Sequence, residues 1–458
     1  MKIITQRLLP GLAIVVLVAG CRGVQTAGEK DARRDLAAVT QTYRPASQQR
    51  SLPVLSAETS LSNFLAYALL NSPNVEVAYD DWAASVERIT VDRSMPDPKL
   101  TFQAYIQNDL TSLMPGLMQD LPGPGKLNAA AEVATAESRS KYFAFESAVL
   151  QAAFDFKSAY YNLYFLDEQL RVSRRTLEVL TDLSSIAKTQ NEVGKGTLQD
   201  IYRAQIERDQ LAAAIANLEH SRHSLMAQYK GTLGLTHDQP DPPVPAVFES
   251  TKKIPDEDEL LAMAFARNPK LKAAEAEVRQ AQTSIVQARK SRVPDFTAGL
   301  QAEVYEPPFY WPQASMTLPV WRDKIGAQIA AAQAGRREAA AKLTSEQISL
   351  AVDFAMRAHD YDESTRNLSL FENQLIPKAR QSFELARSGY LSGQVDFSNL
   401  MDAERAWLNF QFQIVEERKR REISLAALSL LIAGVPPPGA PVLVASPAIS
   451  SSNPLRQP

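Results

Sequence analysis

Apolar residues recur every three or four positions along most of this chain, but in a few short stretches they recur every second one. The change of period happens twice, in two copies. Residues 71–100 read NSPNVEVAYDDWAASVERITVDRSMPDPKL, and residues 267–296 read RNPKLKAAEAEVRQAQTSIVQARKSRVPDF. Pro73 answers to Pro269 at an offset of 196. Ala68, Val75, Ala78 and Ile89 answer to Ala264, Leu271, Ala274 and Ile285 at the same offset, and Pro96 answers to Pro294 at 198. A period near 197 is too long for a solenoid unit, so the pattern predicts a duplicated half-protein.

Each half opens with a short amphipathic helix, at residues 61–70 and 260–266. A capping residue and a proline follow, Ser72-Pro73 and Asn268-Pro269, which mark the start of a second helix. Pro96 and Pro294 stop that helix. Then the period becomes 2. In 99–107, Leu100, Phe102, Ala104 and Ile106 alternate with polar positions. In 295–305, Phe296, Ala298, Leu300, Ala302 and Val304 do the same. Such alternation predicts a strand with one wet and one dry face. Its length suits a membrane barrel strand of about 9–11 residues, as well as an amphipathic strand of a soluble sheet. Turns at 108–115 and 306–312 lead to second strands at 116–121, which alternates poorly, and 313–318. Both end in Leu-Pro, at Leu121-Pro122 and Leu318-Pro319.

Long helices follow. From Lys126 to Asn191 there is neither Pro nor Gly, which predicts about 95 Å of helix. Leu163, Leu166, Leu170, Leu177 and Leu180 take heptad spacing. The chain turns at Val193-Gly194-Lys195-Gly196 and returns through Leu211, Ile215, Leu218, Leu225 and Tyr229. The second half runs out through Leu350, Phe354, Tyr361, Leu368, Phe371 and Leu375. It turns at Gly389-Tyr390-Leu391-Ser392-Gly393 and returns through Leu400, Ala403, Trp407, Phe410 and Ile414. Spacings of 3 and 4 make coiled-coil seams. Arg222, Arg357 and Ser364 interrupt them, and Pro377 predicts a local kink.

The fold class expected is therefore mainly α with a small β part, in two tandem repeats of two strands and a long antiparallel helix pair. Four strands in lipid would leave two bare edges, which a bilayer does not tolerate. Known bacterial barrels start at eight strands, so membrane strands here require an oligomer that pools them.

Composition narrows the class. The 458 residues carry a net charge of -3, with 22 % charged residues. This argues against a nucleic-acid partner, which would need a basic excess. At the N-terminus, Lys2 and Arg7 precede an apolar run of roughly eleven residues, too short to span a bilayer and suited to a signal peptide. The run ends Leu17-Val18-Ala19-Gly20-Cys21, and Cys21 is the only cysteine. These residues resemble a bacterial lipobox, in which the Cys is lipidated. With Arg22 rather than Asp after it, that resemblance implies outer-membrane sorting. The expected organisation is a lipoprotein signal peptide at 1–20 and a lipid-anchored linker at 21–58. Repeats follow at 59–235 and 255–435, joined by a Pro-rich linker at 236–254. A disordered tail occupies 436–458.

The tandem repeat, the capped Pro helix starts, the Leu-Pro strand ends, the Gly-bearing tips and the lipobox together resemble the TolC-type outer-membrane efflux protein family, over about residues 60–435. Residues 119–126, QDLPGPGK, resemble its heavy-metal efflux branch. The resemblance implies a homotrimer whose twelve strands form one barrel in outer-membrane lipid and whose helices form a periplasmic tunnel. It implies docking on a periplasmic adaptor (membrane fusion) protein, joined to an inner-membrane efflux pump, and no chemistry or cofactor of the channel's own. Gly194, Lys195, Gly196, Gly389, Tyr390 and Gly393 fall at the family's adaptor-docking tips. The paired pore aspartates of some members fall at Asn399 and Asp402; the first is not acidic, which leaves a single ring from Asp402. The alternative function is a non-pore periplasmic coiled-coil lipoprotein with a structural or adaptor role.

Other motifs carry no chemistry. Residues 123–126, GPGK, lack the Gly at 120 and the Ser or Thr at 127 that a phosphate loop needs. His220 and His223 are spaced i, i+3, without the Glu and third ligand of a zinc site. No Ser/His/Asp arrangement stands out.

Overall fold

The computed structural model describes residues 25–43, 52–106, 110–245, 248, 256–303 and 309–432. Cys21, the signal segment and the C-terminal tail lie outside them. The described elements are α1 (Ala27–Thr42), α2 (Leu61–Asn71), α3 (Pro73–Arg93), β1 (Lys99–Ile106), β2 (Leu110–Leu121), α4 (Lys126–Glu192), α5 (Leu198–Thr232), α6 (Glu257–Arg267), α7 (Pro269–Lys290), β3 (Phe296–Glu303), β4 (Phe309–Met316), α8 (Arg322–Leu370), a π-turn (Phe371–Leu375), α9 (Ile376–Ser392) and α10 (Phe397–Leu431). The order repeats as the sequence predicts: two short helices, two strands and a long helical hairpin in each half.

Spatially the chain forms two compact units, and each draws on both repeats. One holds α1 with residues 77–146 and 269–347; the other holds residues 147–268 and 348–432 with α2 and the start of α3. The sheet belongs to the first unit. Its order is β1-β2-β3-β4, antiparallel throughout. The central β2–β3 pairing joins repeat to repeat, and among the described residues the outer edges of β1 and β4 have no partner strand.

Two boundaries differ from the periodicity reading. The turn expected at 108–115 is largely strand, since β2 begins at Leu110. The turn expected at 306–312 gives way to β4 from Phe309. The prolines misled. Pro115 pairs with Phe102 of β1 at a point where β2 has no partner on its β3 side, because that ladder begins at Gly116. Pro312 lies on edge strand β4, opposite Leu300. A proline's missing N–H is tolerated where one side of the strand is unpaired.

The region read as a lipid-anchored linker contains α1, which packs rather than dangles. Ala32 rests on Ile89, Ala131 and Ala134. Glu29 is fully buried and accepts from Arg93 Nε, from Thr90 Oγ1 at 2.9 Å and from Arg33 Nε at 3.1 Å. Arg33 reaches on to Glu87 at 2.9 and 3.0 Å. Nearby, Trp82 stacks on Phe145 at 5.8 Å and meets Tyr142 edge-on at 5.0 Å, forming the aromatic core of this unit.

In the second unit, Phe64, Phe156, Tyr160, Leu163 and Tyr229 build one core and Leu180, Leu183, Ala204 and Leu400 another. The seam mismatches are resolved individually. Arg222 forks onto Asp167 at 2.7 and 3.2 Å. Ser364, fully buried, donates to Asp360 O at 2.8 Å or Tyr361 O at 3.0 Å. At Pro377 the helix widens into the preceding π-turn, where Ile376 N donates to Phe371 O. One extra residue per turn relieves the lost donor and the clash that a proline imposes on the turn before it.

The repeats lock their hairpins identically. Asn71 Nδ2 donates to Leu233 O at 2.8 Å and Gly234 O at 3.1 Å, and Asn268 Nδ2 donates to Leu431 O at 2.9 Å. Each asparagine satisfies carbonyls that a helix end leaves open. Replacing both with alanine is expected to lower stability by about 1–3 kcal/mol per site, read as a lower midpoint in thermal unfolding. An unchanged midpoint would show that water serves those carbonyls as well.

Candidate functional site

The sheet separates its faces along the register. One row runs Leu100, Leu117, Leu300 and Pro312 across all four strands. The three leucines in it are 64 %, 43 % and 43 % exposed. Phe102 and Pro115 continue this face, as do Leu121, Phe296 and Met316. The opposite face carries Thr101, Gln301, Gln313, Thr297 and Asp120. Lys99 Nζ meets Asp120 Oδ2 at 2.6 Å, Thr297 Oγ1 donates to Asp120 Oδ1 at 2.9 Å, and Gln313 Nε2 donates to Gln301 Oε1. The leucine row is open, and so are Phe309 and Trp311 of β4 on the other face. The face a soluble sheet would bury stands in the solvent of an isolated chain.

The QDLPGPGK stretch closes the base of the sheet. Lys126 Nζ contacts both Asp295 oxygens at 2.7 Å, and Gly123 N donates to Asp295 Oδ1 at 2.8 Å. A Cβ on Gly123 would stand 2.2 Å from Pro294 O. Its lysine and glycines tie the end of β2 to the start of β3, which is a structural account of the segment. His220 and His223 are exposed on α5, with ring centroids 6.4 Å apart. Among the described residues no three His, Cys, Asp or Glu side chains group to hold a metal.

The two hairpin tips are built alike. At the first, Lys195 N and Gly196 N donate to Gln190 O at 2.8 and 3.0 Å, and Thr197 caps α5 in a capping box with Asp200. At the second, Gln394 N and Val395 N donate to Gly389 O at 2.8 and 3.2 Å. Gly194 and Gly393 take φ of 72° and 78°, the left-handed turn that favours glycine. Gly196 and Gly389 instead make room: a Cβ would lie 3.2 Å from Asn191 N and 2.4 Å from Val395 Cγ2 respectively.

The side chains divide. Lys195 is exposed, as the docking reading requires. Tyr390 is not: its ring is buried 5.1 Å from Phe397, so it belongs to the tip's core and is no surface contact in the single chain. Exposed apolar side chains stand nearby instead, namely Val193, Leu198 and Tyr202 at the first tip and Leu391 at the second. Leu198, Tyr202 and Ile206 repeat every four residues off the seam of α5, a signal readable in the sequence but missed. Asn399 and Asp402 are both exposed, one turn apart on α10, and Asp402 Oδ1 lies 3.6 Å from Arg405 Nη1. Sequence reasoning also missed Glu404, which is buried in the seam. A carboxylate breaks the pattern of an apolar stripe.

The comparisons with known proteins agree with this geometry. A family model described as outer membrane efflux protein matches residues 65–234 and 260–434. The pyoverdine export outer membrane protein OpmQ of Pseudomonas putida is 22 % identical over 284 residues. That match takes in 58 % of this chain and spans 57 % of the relative's length. Among solved structures, the outer membrane protein VceC of Vibrio cholerae superposes with a TM-score of 0.69 at 17 % identity, covering 88 % of this chain and 99 % of that one. The MtrE outer membrane channel of Neisseria gonorrhoeae gives 0.69 at 17 %, covering 85 % and 97 %. CusC gives 0.68 at 14 %, covering 84 % and 95 %.

Proposed function

Since this chain belongs to the outer membrane efflux protein family, we propose that it is the outer-membrane channel of a tripartite efflux system, a passive duct for small solutes such as metal ions or drugs. The observation that carries this reading is the exposed apolar row Leu100–Leu117–Leu300–Pro312 behind a polar sheet face. Lipid outside and water inside is the arrangement of a membrane barrel wall. No helix among the described residues is long and apolar enough to cross a bilayer.

The free edges of β1 and β4 support an oligomer. Backbone edges stay unpaired in lipid only at several kcal/mol per group, and three copies supply twelve strands. The homotrimer then carries its hairpins into the periplasm. Lys195 and the exposed apolar residues beside it dock on the periplasmic adaptor, which joins the inner-membrane pump. Gly194, Gly196, Gly389 and Gly393 shape the tips, and Asp402 supplies a single acidic ring beside Asn399. The duct performs no chemistry and holds no cofactor.

Lipidation at Cys21 fits the same frame. Arg93, which grips Glu29 near the start of α1, is the last residue of α3, and β1 begins six residues later. Only residues 22–26 separate Cys21 from α1 in the sequence, so the anchor would lie next to the helix that Arg93 holds.

The test is a planar-bilayer recording on the purified protein together with its native mass in detergent. Discrete conductance steps from a three-chain species are expected. A monomer without conductance would favour the pore-free lipoprotein instead.

A further inference from the structure

The seam between the hairpins carries an acid where it should carry an apolar side chain. Along α10 the core-facing positions run Phe397, Leu400 and Met401, Glu404, then Trp407 and Leu408, packed with Ala204 and Leu211 of α5. Glu404 is 1 % exposed, and its Oε1 has no hydrogen-bond partner. A second buried oxygen of the same seam, Tyr390 Oη, also lacks one. Buried polar atoms are nearly always paired, so two exceptions in one seam call for a cause.

The charged groups around Glu404 make it worse placed as a carboxylate. Glu207 faces it from α5, and Arg405 follows it on α10. Arg405 is drawn elsewhere: it pairs with Glu207 and lies 3.6 Å from Asp402, with its own side chain more than half exposed. Burial first, and then the charge of Glu207, push the Glu404 carboxyl up to about 7 against the opposing pull of Arg405.

We infer that Glu404 is a proton-operated latch of the hairpin tips: as the neutral acid it lets the α5–α10 seam close, and as the carboxylate it drives the seam open. The sign follows from linkage. Opening hydrates the carboxyl and returns it towards the ordinary range near 4.5. The closed form binds the proton more tightly, so closure is fully favoured below that range and fades as pH rises to about 7. The closed-to-open ratio should fall on the order of 100-fold across the window. The latch does not depend on the channel reading; under that reading, the opened seam loosens the tip of the duct.

Hydrogen exchange on the full-length protein in detergent tests it, following amides of residues 198–211 and 397–408 from pH 5 to 8.5 after correction for intrinsic rates. Wild-type protection should drop at least tenfold between pH 5 and about 7 and level off above that. Glu404→Gln should stay protected and flat throughout, and Glu404→Met should do the same if the amide variant fails to fold. Glu384→Gln, which alters an exposed carboxylate of α9, should keep the wild-type transition. The latch is overturned if wild-type protection ignores pH, if both Glu404 variants keep the transition, or if Glu384→Gln removes it. Exchange needs no pore, so a conducting protein with flat exchange sinks the latch alone.

Discussion

Leu300→Arg is expected to leave the protein synthesised but absent from the assembled outer-membrane fraction. Leu300 sits near the middle of β3, in the apolar row with Leu100 and Leu117. On the lipid face of a membrane sheet, arginine near the midplane costs about 2–4 kcal/mol, falling towards zero near the interfaces. If three chains close one ring, as proposed, the cost is carried three times over. Leu100→Arg should behave in the same way. The control is Gln103→Arg, on the polar face opposite Met114, where a charge meets water and assembly should continue. Membrane fractionation with protease protection reads the result. If Leu300→Arg assembles as well as Gln103→Arg, the exposed row does not face lipid and the barrel reading fails with it.

Glu29→Ala is expected to free the N-terminal helix at neutral pH. Its carboxylate is the anion that Arg93, Thr90 and Arg33 all face. Removing one partner from a buried charge network costs about 3–5 kcal/mol, against which α1 keeps Ala32, the Thr40–Tyr79 hydroxyl pair at 2.6 Å and the part-exposed Arg139–Asp35 pair at 3.1 Å. Protonation should imitate the mutation. Burial by itself would raise the Glu29 carboxyl, but hydrogen bonds from Arg93, Thr90 and Arg33 outweigh it and hold the group below its usual value of 4.5. A depressed acid contributes stability that is present above its unfolded value and is lost as pH falls through the folded one. Limited proteolysis within residues 27–42 should therefore be slow in the wild type at pH 7, fast at acid pH, and fast at both in Glu29→Ala. Equal cleavage of variant and wild type at pH 7 would show that α1 is held by something else.

The parts of this fold that were legible are those in which one pattern runs uninterrupted. Lys126 to Asn191 held no breaker, and the helix found there ends one residue later, at Glu192. β1 and β3 alternate cleanly and appear within one or two residues of the reading. β2 and β4 were cut short at Pro115 and Pro312, because a sequence does not announce which side of a strand will lack a neighbour. α1 was invisible for a different reason. Its inward side mixes Glu29 and Arg33 with Ala32, Leu36 and Val39, which read as a lipid-anchored linker until Arg93 supplies the counter-charge from 64 positions away. The same blindness hid Glu404. Tyr390 erred in the other direction: an aromatic beside a glycine turn reads as a surface contact, yet Phe397 closes over it.

The pairing of β2 with β3 also decides when the sheet can exist. β1 and β2 are three residues apart in sequence, but β2 and β3 first touch at Leu121 and Phe296, 175 residues apart. Loop-closure entropy grows only logarithmically, so the thermodynamic cost over a short hairpin is about 3 kcal/mol. The kinetic consequence is larger, because non-local pairing is slow. Translation must pass Met316 before a four-stranded sheet is possible. Until then the first hairpin's inner edge has no partner, and its apolar face offers a surface for unwanted association. The first hairpin therefore waits, apolar face open, for a partner that lies far along the chain.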